Sequence, residues 1–121
     1  MVERFTDAGG ARPRYGQIDL CWSTDPAAAR RTVHEVWPNA GIKGQLAQDL
    51  PTLSHFEEAA GMVTEDDVTS SIPCGADVEP VVESVRTYLD AGYDRLHFHQ
   101  IGPDQDGFLK FWQSELRPAL P

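Results

Sequence analysis

Two short segments of the chain alternate apolar and polar side chains with a period of two, which is typical of half-buried β-strands. The first segment covers residues 15–22 and the second covers residues 95–100. One face of these strands would carry Ile18, Leu20, Trp22, Leu96 and Phe98. The opposite face would carry Gln17, Asp19, Cys21, Arg95, His97 and His99. We therefore expect the second set to lie on one side of a sheet, with Asp19 pairing with Arg95 or His97.

Helical spacing of apolar side chains fills most of the remaining chain. It predicts helices over residues 26–37, 53–62, 65–70, 78–91 and 107–116. Residues 2–10 are either the last turns of a helix that ends in a Gly pair or a frayed N-terminal tail. The expected N-terminal caps are Asp25, Asp77 and Asp106, with a capping box at Ser54 and Glu57, and Gly92 is expected to end its helix. Residues 38–51 break the pattern and predict a long loop with one helical turn near Leu46. Loops of this length in compact domains often carry function.

The order of these elements predicts an α/β fold. Two strands that are far apart in sequence and joined by helices should lie parallel. Parallel sheets are buried on both faces, and two strands alone cannot form such a sheet. The 121 residues suit one domain. We therefore expect the chain either to pair with another copy or to be part of a larger fold.

Charge and composition narrow the class of protein. The formal net charge is −9, which argues against nucleic acid and anionic membrane surfaces as partners, because both require clustered Lys and Arg. The chain has no run of roughly 18 apolar residues that could cross a membrane and no signal-peptide pattern, so a cytoplasmic location is expected. Its two cysteines, Cys21 and Cys74, are far apart in sequence and predict two reduced, mostly buried thiols.

The histidines of the second strand are candidates for chemistry. His97 and His99 lie two residues apart on one face and could ligate a metal ion, with Asp19 as a third ligand, although nothing in the sequence requires that ligand. His99 could instead line a pocket, or be an ordinary hydrogen-bonded histidine. The loop at residues 104–107 lacks the later glutamate of a calcium loop and predicts a turn with helix capping. None of the common nucleotide-binding, nucleophile or zinc-protease motifs is present.

Three further side chains could contact a small molecule. Lys43 lies in a loop between glycines and could meet an acidic substrate or simply be solvated. Trp22 ends the first predicted strand and Trp37 ends the first long helix. Both could line a pocket for a planar ring or pack in the core, as aromatic residues at element ends often do.

Four segments resemble the luciferase-like flavin-dependent enzyme superfamily: RPRYGQIDLCW, DPAAARRTVHEVWPNAG, IPCGAD and YLDAGYDRLHFHQIGPDQDGFLKFWQSELRPAL. The chain is most similar to the branch that uses the deazaflavin coenzyme F420 and is related to glucose-6-phosphate dehydrogenases. The resemblance implies a (β/α)8 barrel of about 300 residues, within the range of that fold. Residues 1–121 would be its C-terminal portion. Residues 15–22 would be the seventh strand, residues 38–75 an inserted helical region and residues 77–116 the last helix–strand–helix step.

The same resemblance implies that the catalytic His, Trp and Glu and most coenzyme contacts come from earlier strands. What this chain would supply is a wall of the substrate pocket, made of Trp22, Trp37, Asn39, Lys43, His99 and Gln100. The family's sugar-phosphate site uses basic residues where this chain has Ala47 and Ser71, so a glucose-6-phosphate dehydrogenase is not expected. The coenzyme would be F420 rather than FMN, and the chain by itself need bind neither.

The leading hypothesis is therefore part of an oxidoreductase that transfers hydride to or from a small organic substrate, with the remainder of the barrel or a second copy as partner. The alternative is a stand-alone small α/β domain that dimerises and binds or assembles without catalysis.

Overall fold

The computed structural model describes residues 2–121, and its sheet consists of two parallel strands. Strand β1 is Tyr15–Leu20 and strand β2 is Arg95–Gln100, paired in register from Tyr15 opposite Arg95 to Leu20 opposite Gln100. An isolated parallel bridge joins Cys21, directly after β1, to Cys74 in the segment before α6. The predicted parallel arrangement is confirmed, and β1 ends two residues earlier than predicted.

Within residues 2–121, eight α-helices surround the strands. They are α1 Val2–Asp7, α2 Pro26–Val36, α3 Leu46–Asp49, α4 Leu53–Gly61, α5 Glu65–Thr69, α6 Glu79–Asp90, α7 Gln105–Phe111 and α8 Arg117–Ala119. A 3-10 turn at Pro38–Gly41 follows α2, and a π-helical turn at Trp112–Leu116 joins α7 to α8. No helix within residues 2–121 is both long and apolar enough to span a membrane.

Most of the predicted helix ends are correct, but two caps are wrong. The carboxylate of Asp25 accepts from the N–H groups of Ala27 and Ala28, and Gly92 adopts a φ of 87° after α6, both as predicted. The hydroxyl of Thr52, rather than Ser54, caps α4, and the carboxylate of Asp104, rather than Asp106, caps α7 by accepting from Gly107 N–H.

Asp77 caps α6 from one position further out than predicted, since its carboxylate accepts from Glu79 N–H although Val78 directly precedes the helix. A capping box is present on α5 instead of α4, formed by Thr64 and Asp67. At α4 and α7, a neighbouring side chain of the same chemistry accepts from the N–H groups of the first turn.

Two groups of buried side chains form the core. The first lies under the apolar face of the sheet, between β1, α6 and the C-terminal helices, and comprises Leu20, Val81, Val82, Phe108, Phe111 and Leu116. The second joins β1 to α2 and α5 and comprises Cys21, Ala29, Val33, Val68 and Ile72. The first group lies on the helix side of the strands, and the second lies beside the end of β1, where Trp37 packs against it. The polar side chains of the strands lie on the face opposite the first group.

Candidate functional site

The polar face of the sheet holds a hydrogen-bonded couple of an aspartate and a histidine. Asp19 and His99 are register partners on the two strands, and Nδ1 of His99 lies 2.8 Å from Oδ1 of Asp19. The same oxygen accepts a second hydrogen bond of 2.8 Å from Nε2 of Gln17. Asp19 lies on the predicted face, but its partner is His99; the expected pairing with Arg95 or His97 is wrong. The parallel register places Asp19 directly opposite His99, whereas His97 lies two residues earlier on β2, opposite Gln17.

The couple fixes which nitrogen of His99 carries a proton. A carboxylate can only accept hydrogen bonds, so Nδ1 of His99 must be the donor to Asp19. In the neutral imidazole, Nε2 is then an acceptor. The Trp37 ring meets the His99 ring edge-on, with centroids 5.2 Å apart and planes at 64°, so the imidazole is held from two sides.

Asn39 lies within the 3-10 turn and Lys43 lies two residues after it, and their surroundings differ. Asn39 is exposed within that turn. The ammonium of Lys43 lies 2.8 Å from Oδ1 of Asp67. The hydrogen bond from Lys43, together with those from Thr64, holds the pKa of Asp67 well below its usual range. Lys43 is thereby paired to α5, although its side chain remains largely exposed.

Trp22 and Gln100 lie together at the carboxyl ends of the strands, on the helix side. The Gln100 carboxamide accepts from Trp22 N–H at 2.8 Å and donates to Trp22 C=O at 3.2 Å. The Trp22 ring packs on Phe111 with centroids 5.9 Å apart, and a side chain at Gly107 would collide with it. Gln100 is buried, so its amide stabilises the end of β1.

The six predicted pocket residues therefore fall into separate groups. His99 and Trp37 contact each other on the polar face, Trp22 and Gln100 contact each other on the helix side, and Lys43 pairs with Asp67. The sequence did not single out Asp19 as a pocket residue. The two predicted strands, residues 15–22 and 95–100, differ in length, so no signal in the sequence indicated the register that sets Asp19 opposite His99.

A cavity of about 270 Å³ opens beside the couple along the free edge of β1. Gln17 and Asp19 line it on the strand side, and Ser71, Ser84 and Tyr88 line it from the helical side. Asp19 therefore belongs both to the couple and to this cavity.

The two cysteines and the candidate metal ligands were the other groups singled out in the sequence. Cys21 and Cys74 are free thiols, and burial raises the pKa of both, that of Cys74 to about 11, which leaves them protonated and unreactive near neutral pH. Within residues 2–121, no three His, Cys, Asp or Glu side chains are arranged to hold a metal ion.

Comparison with a solved structure shows the class of fold. The chain matches an F420-dependent secondary alcohol dehydrogenase in complex with an F420–acetone adduct with a TM-score of 0.70 and 18% sequence identity. The match covers 99% of this chain and 37% of the other. The two parallel strands with their flanking and inserted helices are thus part of a (β/α)8 barrel, as predicted. The carboxyl ends of the strands, where Asp19 and His99 lie, are the end at which such barrels hold their active sites.

Comparison of sequences finds F420-dependent enzymes as relatives of the chain. The chain is 30% identical over 104 residues to the F420-dependent glucose-6-phosphate dehydrogenase of Rhodococcus hoagii, which covers 86% of this chain and 31% of the relative. It is 29% identical over 114 residues to the enzyme of the same name from Segniliparus rotundus, covering 94% and 33%. No family model matches the chain. The resemblance to F420-dependent oxidoreductases is confirmed, and the chain spans about a third of the length of these relatives.

Proposed function

We propose that this chain forms the substrate-side wall of an F420-dependent oxidoreductase that transfers hydride to or from a small organic substrate. The observation that carries the proposal is the similarity to F420-dependent dehydrogenases over 86% of the chain. The Asp19–His99 couple, at the strand ends where barrel enzymes hold their sites, supports it.

We assign the residues of the polar face to contacts with the substrate rather than with the coenzyme. The deazaflavin would supply the hydride acceptor or donor. His99 would hold the substrate oxygen or its proton at Nε2, and Asp19 would keep the imidazole oriented. Trp37 would hold the ring from the other side, while Asn39 and Lys43 would border the opening. Trp22 and Gln100 would set the position of the strand ends that carry the site.

A chimeric enzyme tests this proposal. The matching 104 residues of the Rhodococcus hoagii enzyme would be replaced by those of this chain, and F420 binding and F420 reduction by a panel of alcohols would be measured. Within an active chimera, His99→Ala should lower kcat/KM about 100-fold, the lower end of the range for losing a general acid–base group, with F420 affinity unchanged.

The neighbouring His97 provides the matched control. It is exposed on the same strand and has no hydrogen-bond partner among residues 2–121. His97→Ala should leave the kinetics unchanged. Equal losses in both variants, or a chimera that folds but does not bind F420, would contradict the proposal. Stoichiometric F420 binding with turnover by the 121-residue chain alone would show that the chain is a complete enzyme and would contradict the proposal.

A dimeric binding domain is the second candidate, and the two-stranded sheet favours it. The outer edge of β2 has no strand partner within residues 2–121, and such edges invite pairing with a further chain. Size-exclusion chromatography combined with thermal unfolding distinguishes the candidates. A monodisperse dimer with cooperative melting would favour the binding domain.

A further inference from the structure

We propose that Cys21 and Cys74 form a reversible disulfide that ties the end of β1 to residues 72–75 before α6. The two cysteines are the partners of the isolated parallel bridge that follows β1. Cys21 N–H donates to Pro73 C=O, and Cys21 C=O accepts from Gly75 N–H, each at 2.9 Å, so two main-chain hydrogen bonds fix the bridge. Because these bonds lie within the chain, the pair does not depend on what covers the remaining edge of β1.

The spacing of the two main chains suits a disulfide. Paired strands lie about 4.8 Å apart, inside the range of about 4.4–6.8 Å that separates the Cα atoms of disulfide-bonded cysteines. Directly opposite residues of a strand pair also project their side chains to the same side. Burial raises the pKa of Cys74, and the nearby Cys21 thiol adds to the rise, in agreement with this closeness. The bond can therefore form without a large movement of the main chain.

In the reduced structure, each sulfur atom has another neighbour. Sγ of Cys74 donates to Ile72 C=O at 3.3 Å. Sγ of Cys21 lies against Gly102, in the loop after β2, where an added Cβ would come within 3.1 Å of it. Rotation about the Cα–Cβ bond of each cysteine would bring the two sulfurs together and move Sγ of Cys21 away from Gly102. Oxidation would thus change the packing of the loop that leads from β2 to α7.

Access to solvent decides which cysteine reacts first. Cys74 is partly exposed and lines an open cavity of about 530 Å³, whereas Cys21 is 1% exposed. A small oxidant therefore reaches Cys74 and not Cys21. Because burial raises the pKa of both thiols, little thiolate is present near neutral pH and the exchange is slow there.

A low-molecular-weight disulfide such as oxidised glutathione supplies the oxidant. The Cys74 thiolate attacks one glutathione sulfur, which forms a mixed disulfide and releases one glutathione thiolate that takes up a proton. The Cys21 thiolate then attacks Sγ of Cys74 and releases the second glutathione. The two cysteines together lose two electrons and two protons, and these reduce one oxidised glutathione to two thiols. A dithiol reductant reverses both steps.

Exchange in glutathione buffers tests the proposal on the 121-residue chain. The reduced chain would be equilibrated with reduced and oxidised glutathione at alkaline pH, quenched by alkylation, digested and analysed by mass spectrometry. We expect the ratio of the Cys21–Cys74 disulfide to mixed glutathione disulfides to be at least about 10-fold higher under native conditions than in concentrated urea. Folding holds these distant cysteines side by side, whereas the unfolded chain must close a long loop. Equal ratios would overturn the proposal.

A displaced thiol shows whether the position in the bridge matters. In the double variant Cys74→Ser, Ser71→Cys, the loop to Cys21 has nearly the same length, but the thiol lies three residues before the bridge position. This variant should form the intramolecular disulfide at least about 10-fold less than the wild type under native conditions. Formation to the same extent would overturn the proposal.

The amide resonance of Gly102 reports the change in the loop after β2. It should move on oxidation and return on reduction with dithiothreitol in NMR spectra. The amide resonance of Gly61, which ends α4 with open space around it, should stay in place. An unchanged Gly102 resonance in the fully oxidised chain would overturn the proposed movement of Cys21. None of these measurements involves F420, so their failure leaves the proposed coenzyme chemistry standing.

Discussion

The two faces of the sheet differ although they are built from alternating residues of the same two strands. On the helix side, Ile18 and Leu20 are almost completely buried and Phe98 packs against the same core. On the polar side, Asp19 and His99 keep about a third of their side-chain surface exposed and bind each other. Neighbouring residues thus have different roles. Those on the helix side stabilise the fold, and those on the polar side present hydrogen-bond acceptors. The comparison predicts that substitutions on the helix side act on stability and those on the polar side act on chemistry.

The largest effect is expected from Leu20→Ala on the helix side. Leu20 is 2% exposed within the main core, and the substitution leaves a cavity among Val81, Phe108 and Leu116. The free energy of unfolding should fall by about 2–5 kcal/mol, measured by urea denaturation. Leu109→Ala, at a leucine that is 53% exposed, is the control and should change it by less than about 1 kcal/mol. Equal losses would contradict the assignment of the buried face.

A smaller loss is expected from Gln100→Ala at the end of β2. The buried carboxamide holds both main-chain groups of Trp22, and its removal leaves that N–H and C=O without their partner. The expected cost is about 1–3 kcal/mol in the same denaturation experiment. Gln113→Ala, on the exposed side of the π-helical turn, is the matched control. A loss of F420 chemistry without a loss of stability would instead place Gln100 on the functional side of the comparison.

Asp19→Asn should separate the two faces most clearly. Because the couple is partly exposed, the stability should change by no more than about 1 kcal/mol. The hydrogen-bond pattern of His99 should change more, since an asparagine can either donate or accept and no longer fixes the proton on Nδ1. Two-bond nitrogen–proton NMR spectra of His99 report this tautomer directly. A pure Nδ1–H signal in the variant would show that the carboxylate does not set it.

The smallest effect concerns the opposite end of the strands. Arg14 binds Asp94 through two side-chain hydrogen bonds and lowers the pKa of Asp94 to about 2. The folded-state pKa lies below the unfolded value of roughly 3.9, so the contribution to stability is present above about pH 4 and is lost as the pH falls towards 2. Asp94→Asn should flatten this part of the acid-denaturation curve relative to Asp90→Asn. Parallel curves for the wild type and both variants would show that the pair contributes nothing.

The sequence predicted more of the fold than of the site. Both strands, their parallel pairing and the face of each residue were correct, because alternation with period two is a local property of the chain. Val36 illustrates where local reasoning ended: it fits the apolar stripe of α2 but is 58% exposed, whereas the ring of the next residue, Trp37, packs against His99. The caps at Thr52 and Asp104 were missed because several adjacent side chains could accept the same N–H groups.

The candidate site depended on contacts between distant residues. Asp19 and His99 are 80 residues apart in sequence, and Trp22 and Gln100 are 78 residues apart. Alternation placed Asp19 on the correct face but could not choose among Arg95, His97 and His99, because that choice is made by the register of the strands.

By itself, the sequence determined the class of the fold, the two faces of the strands and the resemblance to F420-dependent enzymes. These follow from local periodicity and from runs of residues shared with relatives. Only the tertiary structure decided that Asp19 binds His99 and that Lys43 pairs with Asp67. It also decided that the Gln100 side chain hydrogen-bonds the main-chain N–H and C=O of Trp22. The physical reason is that each of these polar groups had several chemically equivalent partners in the sequence, and strand register and helix packing brought one of them within hydrogen-bonding distance.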